Sequence, residues 1–276
     1  MTFDLDAYLA RIRIDAPSAT SRGLARLQEA HLSAIPFESL DPLMGRVPAL
    51  EPGALQRKLV AGGRGGYCFE QNGLMALALD ALGFEFDPVL ARVRNGGERG
   101  GIRSHLAHIV HVEGREWLVD VGFGGGGARR PVPVERYRLD YQPDEVYRIV
   151  ADVATGETVL QRLAEDKWYS LYGFERADVP PIDIEAANHL CATWDKAPFS
   201  ANLMLHRLTP WGRIGMFNVK VTEVRDGVKS VRELRDAGDL ACTLAKRFGL
   251  AMAGEDIAVI AQKIGLPMEE DVRSVA

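Results

Sequence analysis

The chain has 276 residues, 47% of them hydrophobic and 26% charged, with a formal net charge of −5. These values fit a soluble globular protein of one large domain or two to three smaller ones; they exclude a disordered chain and give no overall attraction to nucleic acid. Three cysteines make no disulfide framework, "MTFDLDAYLARIRI" is not a signal peptide, and no run approaches the ~18 apolar residues of a membrane span. A cytoplasmic location with reduced thiols, no nucleic-acid partner and no membrane partner is expected. Arg129–Arg130 is a local basic pair that reads as a solvated loop.

The first third reads as helical. After Asp4 or Asp6 as N-cap, Leu5, Tyr8, Leu9 and Ile12 recur at helical spacing, and residues 21–35 place Leu24, Leu27, His31 and Ile35 on one side. Residues 36–45 read as a proline-punctuated loop, 51–63 as a short helix stopped by glycine, and a longer helix runs from Cys68 to near Gly83. The period then changes. Short β-rich segments at 86–94, 105–112, 116–123, 145–153, 157–163 and 167–174 suggest a small antiparallel barrel or curled sheet. A helix at 180–194 follows, then two or three strands with a hairpin at Asp226–Gly227, and helices near 237–248 and 255–264. The expected fold is α+β in three consecutive regions, 1–84, 85–190 and 191–276.

Cys68 ends the glycine-rich "RGGYCFEQN" and opens a helix. Unpaired N–H groups at a helix start favour a thiolate, and Gly65–Gly66 permit a tight turn and close substrate approach. Position alone fits a small buried hydrophobe equally well. A nucleophile needs a base. In "SHLAHIVHVEGREWLVDVG", a turn at Glu113–Gly114 makes paired residue numbers sum to about 227, so His105 falls beside about residue 122, close to Asp120. Asp120 lies in an apolar run where a lone charge is costly, and His105 supplies its partner. The expected roles follow: Asp120 orients the imidazole, and His105 takes the Cys68 proton.

His108 and His111 read as satisfied or surface strand histidines. Alternating strand faces separate His108 from the other two, so no metal site is expected. Cys191 and Cys242 lie in apolar helical contexts and read as buried and inert. Asp195, Glu70 and the tail "EEDVR" read as solvated or locally paired.

"RGGYCFEQN", Ser104–His105 and "LVDVGFGG", with "IPFESLD" at 35–41, resemble the arylamine N-acetyltransferases. The resemblance implies a helical bundle over 1–84, a β-barrel over 85–190 and an α/β lid over 191–276, the first two papain-like. It implies a Cys68–His105–Asp120 triad that passes acetyl from acetyl-coenzyme A, by a ping-pong route, to arylamines, arylhydrazines or N-hydroxyarylamines. Acetyl-coenzyme A is then a co-substrate, and no tightly bound cofactor is expected. By the same resemblance Phe37, Phe123 and Phe199 line the acceptor pocket, Gly124 lies near coenzyme A, and Arg64 with Glu38 supports the cysteine turn. A cysteine hydrolase or transglutaminase-like enzyme with the same residue order is the alternative. Monomer or homodimer is left open.

Overall fold

The computed structural model describes residues 3–143 and 145–268. The charged tail from Glu269 lies outside the described residues.

Helix α1 (Leu5–Ile12) begins where Asp4 Oδ1 accepts the Ala7 N–H at 3.0 Å. Thr20 Oγ1 does the same for Gly23 at 3.1 Å ahead of α2 (Ser21–Ala34). Each cap satisfies a donor that the helix itself leaves unpaired. Residues 36–45, expected as a loop, hold strand β1 (Phe37–Glu38) and helix α3 (Leu40–Leu43). The partner of β1 is a strand far along the chain, so no local pattern reveals it. Helix α4 (Pro52–Leu55) continues into a π-helical turn over Gln56–Ala61, and α5 (Cys68–Ala81) follows.

Eight antiparallel strands curl into a near-barrel beside α5. They are β2 (Glu85–Val93), β3 (Arg103–Val112), β4 (Arg115–Val119), β5 (Val132–Pro133), β6 (Leu139–Tyr141), β7 (Val146–Ala151), β8 (Thr158–Ala164) and β9 (Lys167–Phe174). Their spatial order is β5-β4-β3-β2-β9-β8-β7-β6. The two shortest, β5 and β6, escape a reading based on alternation because they hold only two and three residues. The β3–β4 ladder keeps a constant register from Val112↔Arg115 to His108↔Val119, the sum expected from the turn. Glu113 and Gly114 both have positive φ, the type I′ geometry whose twist matches the flanking strands.

Helix α6 (Pro181–Thr193) leads to four further strands, not two or three: β10 (Met204–Thr209), β11 (Gly212–Phe217), β12 (Lys220–Arg225) and β13 (Val228–Glu233). They join β1 in the order β1-β10-β11-β12-β13. Helix α7 (Ala237–Thr243), the π-helical turn Leu244–Phe248 that continues it and α8 (Gly254–Lys263) cover this sheet, burying Leu240, Leu244 and Ile260 in one cluster with Leu205, Ile214 and Met216. The architecture is α+β: N-terminal helices, an antiparallel near-barrel and a C-terminal helix and sheet region. Among the described residues no helix is long and apolar enough to cross a membrane.

Candidate active site

Cys68 stands at the start of α5 and is 2% exposed. The turn before it is held by close approach and not by left-handed backbone. A Cβ on Gly65 would sit 2.0 Å from the Pro36 carbonyl oxygen, and one on Gly66 would sit 2.7 Å from a Glu70 carboxylate oxygen. The glycines therefore let the protein's own chain pack in, which corrects the expectation that they admit substrate. β1 fixes the turn from the other side, its Glu38 N–H donating to the Gly66 carbonyl at 3.0 Å.

A charge cluster underlies the turn. Arg64 donates to Glu38 Oε1 from Nη2 at 2.6 Å and from Nε at 3.0 Å, while the Leu40 N–H meets Glu38 Oε2 at 2.8 Å. Lys58 Nζ lies 2.6 Å from Asp41 and 2.5 Å from Glu70. Glu70 is thus a buried ion-pair member that also accepts the Tyr67 N–H at 3.2 Å. Removing one partner of such a pair strands a buried charge.

His105 comes from β3 and Asp120 from the residue after β4. His105 Nε2 donates to Asp120 Oδ2 at 2.7 Å, both side chains being nearly inaccessible. Asp120 Oδ1 accepts from Asn72 Nδ2 at 3.0 Å and from the Gly122 N–H at 2.8 Å. Burial acts to raise the Asp120 carboxyl, but His105, Asn72 and the Gly122 N–H outweigh it and hold it below its usual range. Asn72 also donates to the Leu106 carbonyl at 2.6 Å and accepts the Val121 N–H at 3.1 Å. One side chain therefore ties the cysteine helix to the strand that carries His105 and to the loop that carries Asp120. The one sequence signal for Asn72 is its place four residues after Cys68, which puts both on one helix face.

Burial pushes the Cys68 thiol well up, and the neighbouring Cys191 adds to this; backbone N–H groups of Leu106 and Phe69 pull the other way. Phe69 supplies the helix-start donor expected from sequence, but desolvation wins. A thiolate here needs a nearby acceptor for its proton. His105 Nε2 is committed to Asp120, which leaves Nδ1, and that nitrogen has no hydrogen-bond partner among the described residues.

Cys68 and His105 open onto one cavity of about 630 Å³, whose wall includes Phe37, Phe123, Phe199 and Cys191. Phe123 packs edge-on to the His105 ring at a centroid distance of 5.2 Å, and Tyr172 lies 4.8 Å from the same ring. Phe37 and Phe199 lie tilted to one another, with ring centroids 6.3 Å apart. Gly124 lines an adjoining cavity of about 270 Å³ with Gly125, His206, Lys220 and Thr222. His108 is buried and donates to the Asn72 carbonyl at 2.8 Å; His111 pairs with Asp87 at the surface. Cys242, whose apolar helical context predicts burial, is exposed, because α7 turns Leu240 and Thr243 inward instead. Arg129 pairs with Glu29 at 3.3 Å.

The sequence pattern of a family described as N-acetyltransferase matches residues 22–257, which makes the protein an acetyltransferase. The chain is 33% identical over 257 residues to the arylamine N-acetyltransferase / N-hydroxyarylamine O-acetyltransferase of Salmonella typhimurium, covering 91% of this chain and 90% of that one. It is 35% identical over 260 residues to the arylamine N-acetyltransferase of Mycobacterium bovis, covering 92% and 91%. Among solved structures, the Salmonella typhimurium arylamine N-acetyltransferase is similar at a TM-score of 0.88 and 31% identity, over 94% of this chain and 98% of that one. The Mycobacterium marinum enzyme in complex with CoA is similar at 0.87 and 31%, over 96% and 100%. The chain belongs to the arylamine N-acetyltransferase family.

Proposed function

We propose that the protein transfers acetyl groups from acetyl-coenzyme A to aromatic amines, hydrazines or N-hydroxyarylamines through a thioester on Cys68. The observation that carries this reading is the buried His105–Asp120 pair beside a thiol in one apolar cavity. Asp120 holds Nε2 protonated, so Nδ1 is the nitrogen that receives the Cys68 proton. The thiolate formed attacks the acetyl carbonyl, the coenzyme A sulfur leaves, and His105 returns a proton to it. Exchange between two thioesters is nearly isoenergetic, so this half-reaction needs little driving force. The acceptor amine then attacks the acetyl-cysteine and His105 removes its proton.

Phe37, Phe123 and Phe199 supply apolar walls for a flat aromatic acceptor and keep water from the thioester. Coenzyme A reaches the sulfur along the adjoining cavity, where Gly124 and Gly125 offer backbone without side chains and Lys220 offers a cation for phosphate. Arg64 and Glu38 act by fixing the cysteine turn. The relative crystallised with CoA supports the choice of co-substrate.

Intact mass after mixing with acetyl-coenzyme A tests the reading. One acetyl adduct is expected on the native protein and none on Cys68→Ala, and the adduct should disappear when an aromatic amine is added. Absence of an adduct together with cleavage of an amide substrate would give the site to a cysteine hydrolase.

A further inference from the structure

The cavity holds a second thiol that acyl transfer does not need. Cys68 Sγ donates to the Ser104 carbonyl oxygen at 3.6 Å, and Cys191 Sγ donates to the same oxygen at 3.7 Å. Both residues are buried in one cluster, and both line the cavity wall. Their neighbours hold them there. Tyr67, next to Cys68, donates its hydroxyl to Asn188, with the side-chain Oδ1 the nearer acceptor and the carbonyl oxygen at 3.0 Å, and Asn188 Nδ2 donates to the Pro48 carbonyl at 2.9 Å. Asn188 lies three residues before Cys191, so it anchors α6 to the cysteine turn at the level of the two sulfurs. The two sulfurs differ in one respect. N–H groups of Leu106 and Phe69 face Cys68 and offset part of its burial, whereas burial pushes the Cys191 thiol up to about 12.

We propose that Cys68 and Cys191 form a reversible disulfide, with Cys191 acting as the resolving thiol when a peroxide oxidises Cys68. In the first step the Cys68 thiolate attacks the peroxide. An S–O bond forms, the O–O bond breaks, and the departing oxygen takes up a proton, leaving a sulfenic acid; sulfur is oxidised and peroxide reduced. In the second step the Cys191 sulfur attacks the Cys68 sulfur. The S–S bond forms, the S–O bond breaks, and hydroxyl leaves as water with the Cys191 proton. A disulfide needs about 2.05 Å between sulfurs, so both side chains leave their common acceptor to reach it. A small dithiol reverses the bond by exchange, becoming a disulfide itself and returning two electrons and two protons to the pair. Capture by Cys191 keeps the sulfenic acid from the sulfinic and sulfonic states, which thiols do not reverse.

The test uses Cys242→Ser protein, which lacks the exposed cysteine, treated with hydrogen peroxide, alkylated and weighed intact and as peptides. The expected product is two hydrogens lighter, carries no label on either thiol, and yields a linked peptide containing Cys68 and Cys191. Dithiothreitol should restore both labels. Adding Cys191→Ala should replace the link with added oxygens on Cys68 and lower the fraction of Cys68 recovered by dithiothreitol about 5-fold or more. Oxygen addition without a linked peptide in the Cys242→Ser protein would overturn the proposal, as would equal recovery with and without Cys191. The linked peptide is read without any variant at position 191, so misfolding of Cys191→Ala cannot hide the answer. None of these masses depends on acetyl transfer, so the proposal stands or falls separately from the proposed function.

Discussion

Replacing Asn72 with alanine probes the joint between the cysteine helix and the carboxylate loop. The change removes three buried hydrogen bonds: to the Leu106 carbonyl, to the Asp120 carboxylate and from the Val121 N–H. Two are neutral, at about 1 kcal/mol each, and one involves a charge, at about 2 kcal/mol, so the expected loss is about 4 kcal/mol. For a chain of this length that lowers the thermal midpoint by roughly 10 °C. Asp120 keeps His105 and the Gly122 N–H, so its contacts survive in part, but it loses one group that lowers its pKa. The acid limb of acetyl transfer should therefore move to higher pH, since Asp120 protonates earlier as the pH falls. A thermal melt combined with a pH–rate profile reads both effects. A midpoint within about 2 °C of the native protein, with an unmoved acid limb, would show that Asn72 does not hold the site together.

Gly122→Ala should be more damaging to activity than its size suggests. The new Cβ would lie 2.6 Å from the Cys68 Cα and 2.7 Å from Asn72 Nδ2, so the loop bearing Asp120 must back away from α5. The acetyl adduct on Cys68 should form at least ~10-fold more slowly, because misplacing reacting groups by about an ångström is costly; a native rate would refute the packing argument. Acid should also unfold the protein early. His31, His108 and His206 are buried, and burial pulls their pKa values down to about 4, about 4 and about 3. In the unfolded chain each titrates near 6.5, so below that pH the unfolded state binds up to three more protons. Their contribution is intact above about pH 6.5 and is lost as pH falls toward the folded values, at up to ~4 kcal/mol per pH unit. Urea midpoints measured from pH 7 to 4.5 should fall steeply, and a flat series would sink the assignment.

The parts of the site legible in the sequence are those set by local geometry. The turn at Glu113–Gly114 fixed the β3–β4 register, and with it the approach of Asp120 to His105. The ladder ends at His108↔Val119, however, and His105 pairs instead with Ala91 on β2. Residues brought in from afar were not legible. β1 forms where Phe37 and Glu38 meet His206 and Leu205, and Gln28 reaches the Ala128 carbonyl across about a hundred residues. In sequence Cys191 is an ordinary apolar helix residue. Its position beside Cys68 depends on the Tyr67–Asn188 contact, which no spacing in α6 encodes.

Thiolate ultraviolet absorbance as a function of pH tests the central claim most directly, because it observes the ionised sulfur itself. The account predicts absorbance near pH 7 that vanishes in Cys68→Ala. In His105→Gln it should return only at a pH well above that of an ordinary thiol, since burial outweighs the Leu106 and Phe69 N–H groups that remain. Identical titration curves for the native protein and His105→Gln would contradict it, for the imidazole would then have no hold on the proton.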